Sequence, residues 1–151
     1  MKMAFTEDDF KDSSWEIRRV AYRALGFTEQ ALKDEDRCIR QEAYRTLGYN
    51  KQALKDESWV IRQEAYRTLG YNEQAFKDED KDIRREAYRA LGYTKQALKD
   101  EHWQIRRESE IYLDFMKNKS QEDAPLYLNS GDRIKAIAAK HLLERSKLKR
   151  L

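Results

Sequence analysis

The chain has 151 residues, a length that suits one domain, and carries 31 Lys and Arg against 28 Asp and Glu, for a formal net charge of +3 and a mean hydropathy of −1.04. No run approaches the roughly 18 apolar residues of a membrane span, the single cysteine, Cys38, excludes an internal disulfide framework, and the opening MKMAFTEDDF lacks the apolar core of a secretory signal, so a cytoplasmic protein is expected. Residues 117–151 hold nine Lys and Arg against four acids, which leaves the rest of the chain close to neutral and a poor match to a polyanion.

The motif IRQEAYRTLGYN occurs twice at a spacing of 22 residues, and relaxed copies continue on both sides, with Ile17, Ile39, Ile61, Ile83 and Ile105 marking five registers. Residues 33–54 and 55–76 match at 17 of 22 positions. A fixed period of this size is the signature of stacked repeats. In chain order, Phe5-Thr6 and Phe10-Lys11-Asp12 align with Phe27-Thr28 and Leu32-Lys33-Asp34, so the array starts on a short helix. Long helices then open at Ser14, Asp36, Ser58, Asp80 and His102, each three residues before its Ile. All but the last are good N-cap types. Gly26, Gly48, Gly70 and Gly92 close the first four, where a left-handed C′ residue is expected.

With Ile17 at 0° and about 100° per residue, Ala24, Ala21 and Leu25 fall at roughly 340°, 40° and 80°, one apolar stripe. Tyr22 falls on its flank, and Arg19 and Arg23 fall opposite. The residue after each Gly is aromatic, so Tyr22–Phe27, Tyr44–Tyr49, Tyr66–Tyr71 and Tyr88–Tyr93 are predicted to pack at helix ends. Thr28, Asn50, Asn72 and Thr94 then cap a second helix of about six residues, short enough to be 3₁₀, anchored by Leu32, Leu54, Phe76 and Leu98.

In the fifth unit Ser109, Glu110 and Asp114 replace the Ala, Tyr and Gly, and the long helix is expected to run on to about Lys119. Gln121 to Pro125 reads as a connection. Beyond it Asn129, Ile134, Lys135, Ala138 and Leu142 align with Asp78, Ile83, Arg84, Ala87 and Leu91, a degenerate unit that closes the stack. The expected fold is all-α: one right-handed α-helical solenoid over residues 1–147, of five 22-residue two-helix repeats (5–26, 27–48, 49–70, 71–92 and 93–120) and a C-terminal capping repeat (124–144). The basic tail 145–151 is expected to fray.

A run such as AFKDEDKDIRREAYRALG resembles bacterial HEAT-like repeats, including the type found in phycobilin lyases. The short second helix makes the unit similar also to leucine-rich-repeat variants, which pair an α-helix with a 3₁₀ helix. The resemblance implies a helical solenoid in which Asp12, Asp34, Asp56, Asp78 and Asp100 bond Arg18, Arg40, Arg62, Arg84 and Arg106 between neighbouring units. It says almost nothing about activity.

Catalytic chemistry finds little footing. His102 and His141 are far apart, neither is followed by Glu, and the carboxylates sit at helix starts where caps and dipoles account for them. Cys38 fills a slot that takes Glu, Val, Asp and Gln elsewhere, and every array Gly ends a helix. No catalytic residue, cofactor or metal is expected, and the protein is read as a non-enzyme.

Two surface columns stand out. Arg23, Arg45, Arg67 and Arg89 project away from the core and could track phosphates. The favoured reading is intrahelical pairing of Glu42–Arg45, Glu64–Arg67 and Glu86–Arg89. The slot two before each Ile alternates Trp15, Arg37, Trp59, Lys81 and Trp103. It is either a cation–π ladder or an exposed stripe of the residue types that dominate binding hot spots. The expected function is a scaffold that binds a protein along its surface. Alternatives are a nucleic-acid module using the Arg column and the basic C-terminus, and an accessory subunit of an enzyme.

Overall fold

The computed structural model describes residues 4–148, which are all-α with no strand. Six α-helices, α1 (Trp15–Leu25), α2 (Arg37–Leu47), α3 (Trp59–Leu69), α4 (Lys81–Leu91), α5 (Trp103–Asn118) and α6 (Arg133–Leu148), are each preceded by a 3₁₀ helix. The second element of the repeat is thus 3₁₀, as short as Ala31–Lys33 and Ala53–Lys55. No helix among the described residues is long and apolar enough to cross a membrane. The chain divides between Gly70 and Tyr71, at a repeat boundary, into two compact units holding α1–α3 and α4–α6.

The helix starts follow the caps. Asp36 accepts from the Cys38 and Ile39 N–H groups at 2.8 and 3.1 Å, and Asp80 does the same for Asp82 and Ile83. Such a cap contributes about 1 kcal/mol. Ser58 and His102 occupy the cap position without a side-chain bond. The 3₁₀ helix Glu7–Lys11 precedes α1, held by the Thr6 N–H donating to Asp9 at 2.7 Å, in the register of the later short helices. α5 runs to Asn118, close to the expected end.

The glycine ends depart from expectation in one angle. Gly26, Gly48, Gly70 and Gly92 have φ between 93° and 105°, but ψ of 143–145°. This is the extended positive-φ region open essentially to glycine alone, not the left-handed helical well.

The core also differs from the angular reading. Leu25, Leu47, Leu69 and Leu91 fall within the apolar arc, yet all are about half exposed. They sit eight residues beyond the Ile, about 12 Å along the axis, past the packed zone. Tyr22, Tyr44, Tyr66 and Tyr88, placed on the flank, are only 1% exposed and form the core with the central Ala and the alanines of the 3₁₀ helices. In the first unit the Tyr22 ring is stacked between Phe10 (4.2 Å) and Phe27 (5.7 Å), and Tyr44 stacks on Tyr49 at 5.7 Å. In the second, Tyr88 lies between Phe76 (4.3 Å) and Tyr93 (5.5 Å). Each stacked pair adds about 0.5–1.5 kcal/mol beyond burial. Leu32 and Leu54 are buried anchors as expected, Phe76 is partly buried, and Leu98 is exposed.

The second unit ends on contacts of its own. Tyr93, Ile105, Tyr112, Phe115, Ile134 and Ala138 share one cluster, Phe115 meets Tyr127 edge-on at 4.9 Å, and the Tyr112 hydroxyl lies 3.0 Å from His141 Nδ1. The segment expected to fray is helical as far as Leu148, because Leu142 and Leu143 pack against this cluster and hold α6 together. The last three residues of that tail lie outside the described ones.

Candidate binding surface

Two ion-pair columns determine which side chains remain available at the surface. The first is buried. Arg18 reaches from α1 to Asp34 with two parallel bonds, Nε to Oδ2 at 3.0 Å and Nη2 to Oδ1 at 2.9 Å, while its Nη1 donates to the Asp12 carbonyl. Arg40 treats Asp56 in the same way, and Arg84 treats Asp100. The side chains of these pairs are only 5–7% exposed. The same aspartates accept the N–H two residues on, such as Ser58 N–H to Asp56 at 2.8 Å and His102 N–H to Asp100 at 2.8 Å. Burial pushes the Asp100 carboxyl up, but the bonds from Arg84 and the His102 N–H outweigh it and hold it below the usual range. The Asp–Arg bonding between neighbouring repeats that the family resemblance implies is therefore present within each unit. Arg106 departs from the column: it donates to the Asp100 and Glu101 carbonyls and meets no carboxylate among the described residues.

The second column corrects the expected intrahelical pairing. Arg23 and Arg19 of α1 both donate to Glu42 of α2. Arg45, Gln41 and Tyr49 converge on Glu64. Arg85, Arg89 and Tyr93 converge on Glu108, and Tyr71 donates to Glu86 at 2.6 Å. Each of these pairs runs from one repeat to the next, because the glutamate points back toward the preceding helix rather than along its own. Arg67 also has a bonding partner. Burial raises Glu108, and the hydrogen bonds of Arg85, Tyr93 and Arg89 more than offset it. Burial first, and then the bond to Glu64, push the Tyr49 hydroxyl up to about 12. The Arg column is thus the partner of a Glu column, and its field on a passing anion is largely cancelled. Sequence reasoning had the acids but not their direction.

The alternating slot is the first turn's leading residue in each long helix. Trp15 is 39% exposed, Trp59 46% and Trp103 58%, and Arg37 and Lys81 are exposed too. The first unit carries Trp15, Arg37 and Trp59, and the second carries Lys81 and Trp103. The cation over the Trp15 ring is Arg19, one turn along its own helix at 5.9 Å, rather than Arg37. The imidazole of His102 lies 6.4 Å from the Trp103 ring. Among the described residues neither Arg37 nor Lys81 forms an ion pair or ring contact, so the cations of this slot are not tied up in an internal ladder. The exposed Leu25, Leu47 and Leu69 add an apolar column at the helix ends that the angular reading had placed inside.

Among the described residues no three His, Cys, Asp or Glu side chains come together as a metal ion would need. His141 faces Tyr112, Nδ1 of His102 is buried without a partner, and Cys38 is half-buried. No family model, curated protein or solved structure matches this chain.

Proposed function

We propose that this protein is a non-enzymatic repeat scaffold that binds another protein through the leading residues of its long helices, Trp15, Arg37, Trp59, Lys81 and Trp103. One observation carries the reading. Three tryptophans at one repeat position are between about two-fifths and three-fifths exposed, whereas Tyr22, Tyr44, Tyr66 and Tyr88 are buried in the aromatic core. Leaving several large indole surfaces in water forgoes burial worth about 25 cal/mol per Å², and Trp and Arg are the types that most often anchor interfaces. Within this reading the repeats form a right-handed solenoid of five units and a cap, of the HEAT-like or leucine-rich-repeat-variant kind, acting in the cytoplasm. The nucleic-acid alternative has less support, since Arg23, Arg45 and Arg89 each share a glutamate.

The test begins with proteins captured from the source cell by the immobilised chain. Binding of each purified candidate is then compared for the parent and Trp59→Ala. A hot-spot indole should cost 1–2 kcal/mol or more of binding, roughly tenfold or beyond, with little change in the thermal midpoint. Unchanged affinity together with a large stability loss would assign the Trp column to the fold alone. Tight, salt-sensitive retention on heparin would favour the nucleic-acid reading.

A further inference from the structure

The first repeat lacks what the other repeats of its unit possess. Ile39 and Ile61 are fully buried, whereas Ile17, in the same slot, is 40% exposed. Glu42 and Glu64 are engaged by the preceding helix, whereas α1 carries Val20 there, 44% exposed. Asp34 and Asp56 each receive a two-pronged guanidinium. Asp12 keeps the bond from the Ser14 N–H at 2.8 Å, but no cation among the described residues reaches it. Phe5, Asp9, Asp12, Glu16, Ile17 and Val20 line an open groove of about 330 Å³, apolar at its floor and acidic at its rim.

The other end has the opposite charge. Counted from its buried Ile134, α6 carries Lys135 in the slot of Arg84 and Lys140 in the slot of Arg89. Lys135 is exposed and its ammonium has no carboxylate among the described residues. Lys140 has only a loose pair with Glu144 at 4.0 Å, both well exposed. Just before α6, Leu126 and Leu128 are 81% and 43% exposed. The first unit therefore opens on a carboxylate without a cation, and the last helix of the second carries a cation without a carboxylate, among the described residues.

We infer that the chain associates head to tail with a second copy, α6 of one copy covering the N-terminal groove of the next and bringing Lys135 to Asp12. Arg18–Asp34 and Arg40–Asp56 show within the first unit what such a joint looks like: a cation from one helix on the carboxylate that opens the next, with the Ile beneath it buried. Lysine at this joint gives a single-point contact where arginine gives a fork, so the association is weaker than the internal joints and sensitive to salt.

Sedimentation of the full chain over a concentration series tests this. The average mass should rise with concentration and fall as salt is added. Asp12→Lys alone and Lys135→Asp alone should each remain monomeric, and an equimolar mixture of the two should associate, because one joint keeps both original partners. A parent that is monomeric throughout, a mixture that stays monomeric, or a Lys135→Asp variant that associates like the parent would each overturn the inference. Asp12 also holds the Ser14 N–H, so Val20→Lys provides a second reading at a side chain with no hydrogen bond. It should weaken association about tenfold or more with helix content unchanged, and undiminished association would count against the groove.

Discussion

The first unit and the end of the second solve the same packing problem differently. In α1–α3 the same contacts recur from repeat to repeat: Arg on Asp, Tyr on an aromatic, with the central Ala buried each time. In α5 and α6 the columns lapse. Ser109 replaces the central Ala and donates to the Arg106 carbonyl, Arg106 finds no carboxylate among the described residues, and a private set of contacts, Tyr112 with His141 and Phe115 with Tyr127, takes over. A repeat with a neighbour on each side can rely on shared chemistry. A terminal one must complete its core with groups used once, and those groups bring sensitivities the regular part lacks.

The largest effect expected from breaking this contrast is at the buried column. Asp56→Ala removes the buried two-pronged acceptor of the Arg40 guanidinium, whose side chain is 6% exposed, leaves it only the exposed Glu57 carboxylate and two carbonyls, and removes the acceptor of the Ser58 N–H. It should cost about 3–5 kcal/mol in urea unfolding. A cost below about 1 kcal/mol would mean that water replaces the carboxylate and that the column is not a structural joint.

Next come two glycines of the same conformation in different surroundings. A Cβ at Gly48 meets nothing within 4 Å, so Gly48→Ala should cost only the backbone strain, about 1–3 kcal/mol. At Gly92 the Cβ would lie 2.8 Å from the Tyr112 hydroxyl, whose displacement breaks the contact with His141. Gly92→Ala should therefore exceed Gly48→Ala by about 1 kcal/mol or more. Equal costs would show that Tyr112 swings aside freely.

Acid separates the units without any mutation. Burial holds His141 below the ordinary imidazole range. A depressed folded value makes its contribution complete above the unfolded pKa, about 6.5, and lost progressively as pH falls through that value toward the folded one. The first unit has no histidine, and its depressed carboxylates, Glu42 and Glu64, matter only below about pH 4.3. Amide protection, with the intrinsic exchange rate at each pH divided out, should thus fall in α5 and α6 as pH drops below about 6.5 while α1–α3 hold. His141→Gln should flatten that response.

The smallest effect belongs to the outer column. Arg45 is 58% exposed, so Arg45→Ala should change stability by about 0–1 kcal/mol despite its bonds to Glu64. A loss comparable to Asp56→Ala would erase the distinction between the inner and outer columns.

Much of this architecture is legible in the residues. Period, caps, glycine ends, the starting register and the extension of α5 all follow from local rules that act within a few residues. What escaped was set by neighbours. An angular projection places Leu47 in the core and Tyr44 at its edge because it ignores height along the axis and the flanking repeats that enclose the tyrosine. Glu64 has two arginines within reach, Arg67 on its own helix and Arg45 on the one before, and only the packed arrangement shows Arg45 on its carboxylate. At the candidate surface the slot of Trp15, Arg37 and Trp59 could be read directly. That Trp15 takes its cation from Arg19 could not, because an i,i+4 partner and a neighbouring helix compete for one ring.

The two-sided nature of each joint has a genetic corollary. Every joint in the first unit takes its cation from one repeat and its carboxylate from the next, in the same two slots. Unequal crossing-over between segments as alike as residues 33–54 and 55–76 would add or remove 22 residues and leave each arginine still facing an aspartate. Copy number can then change in whole repeats while the pairing rule of each joint stays intact.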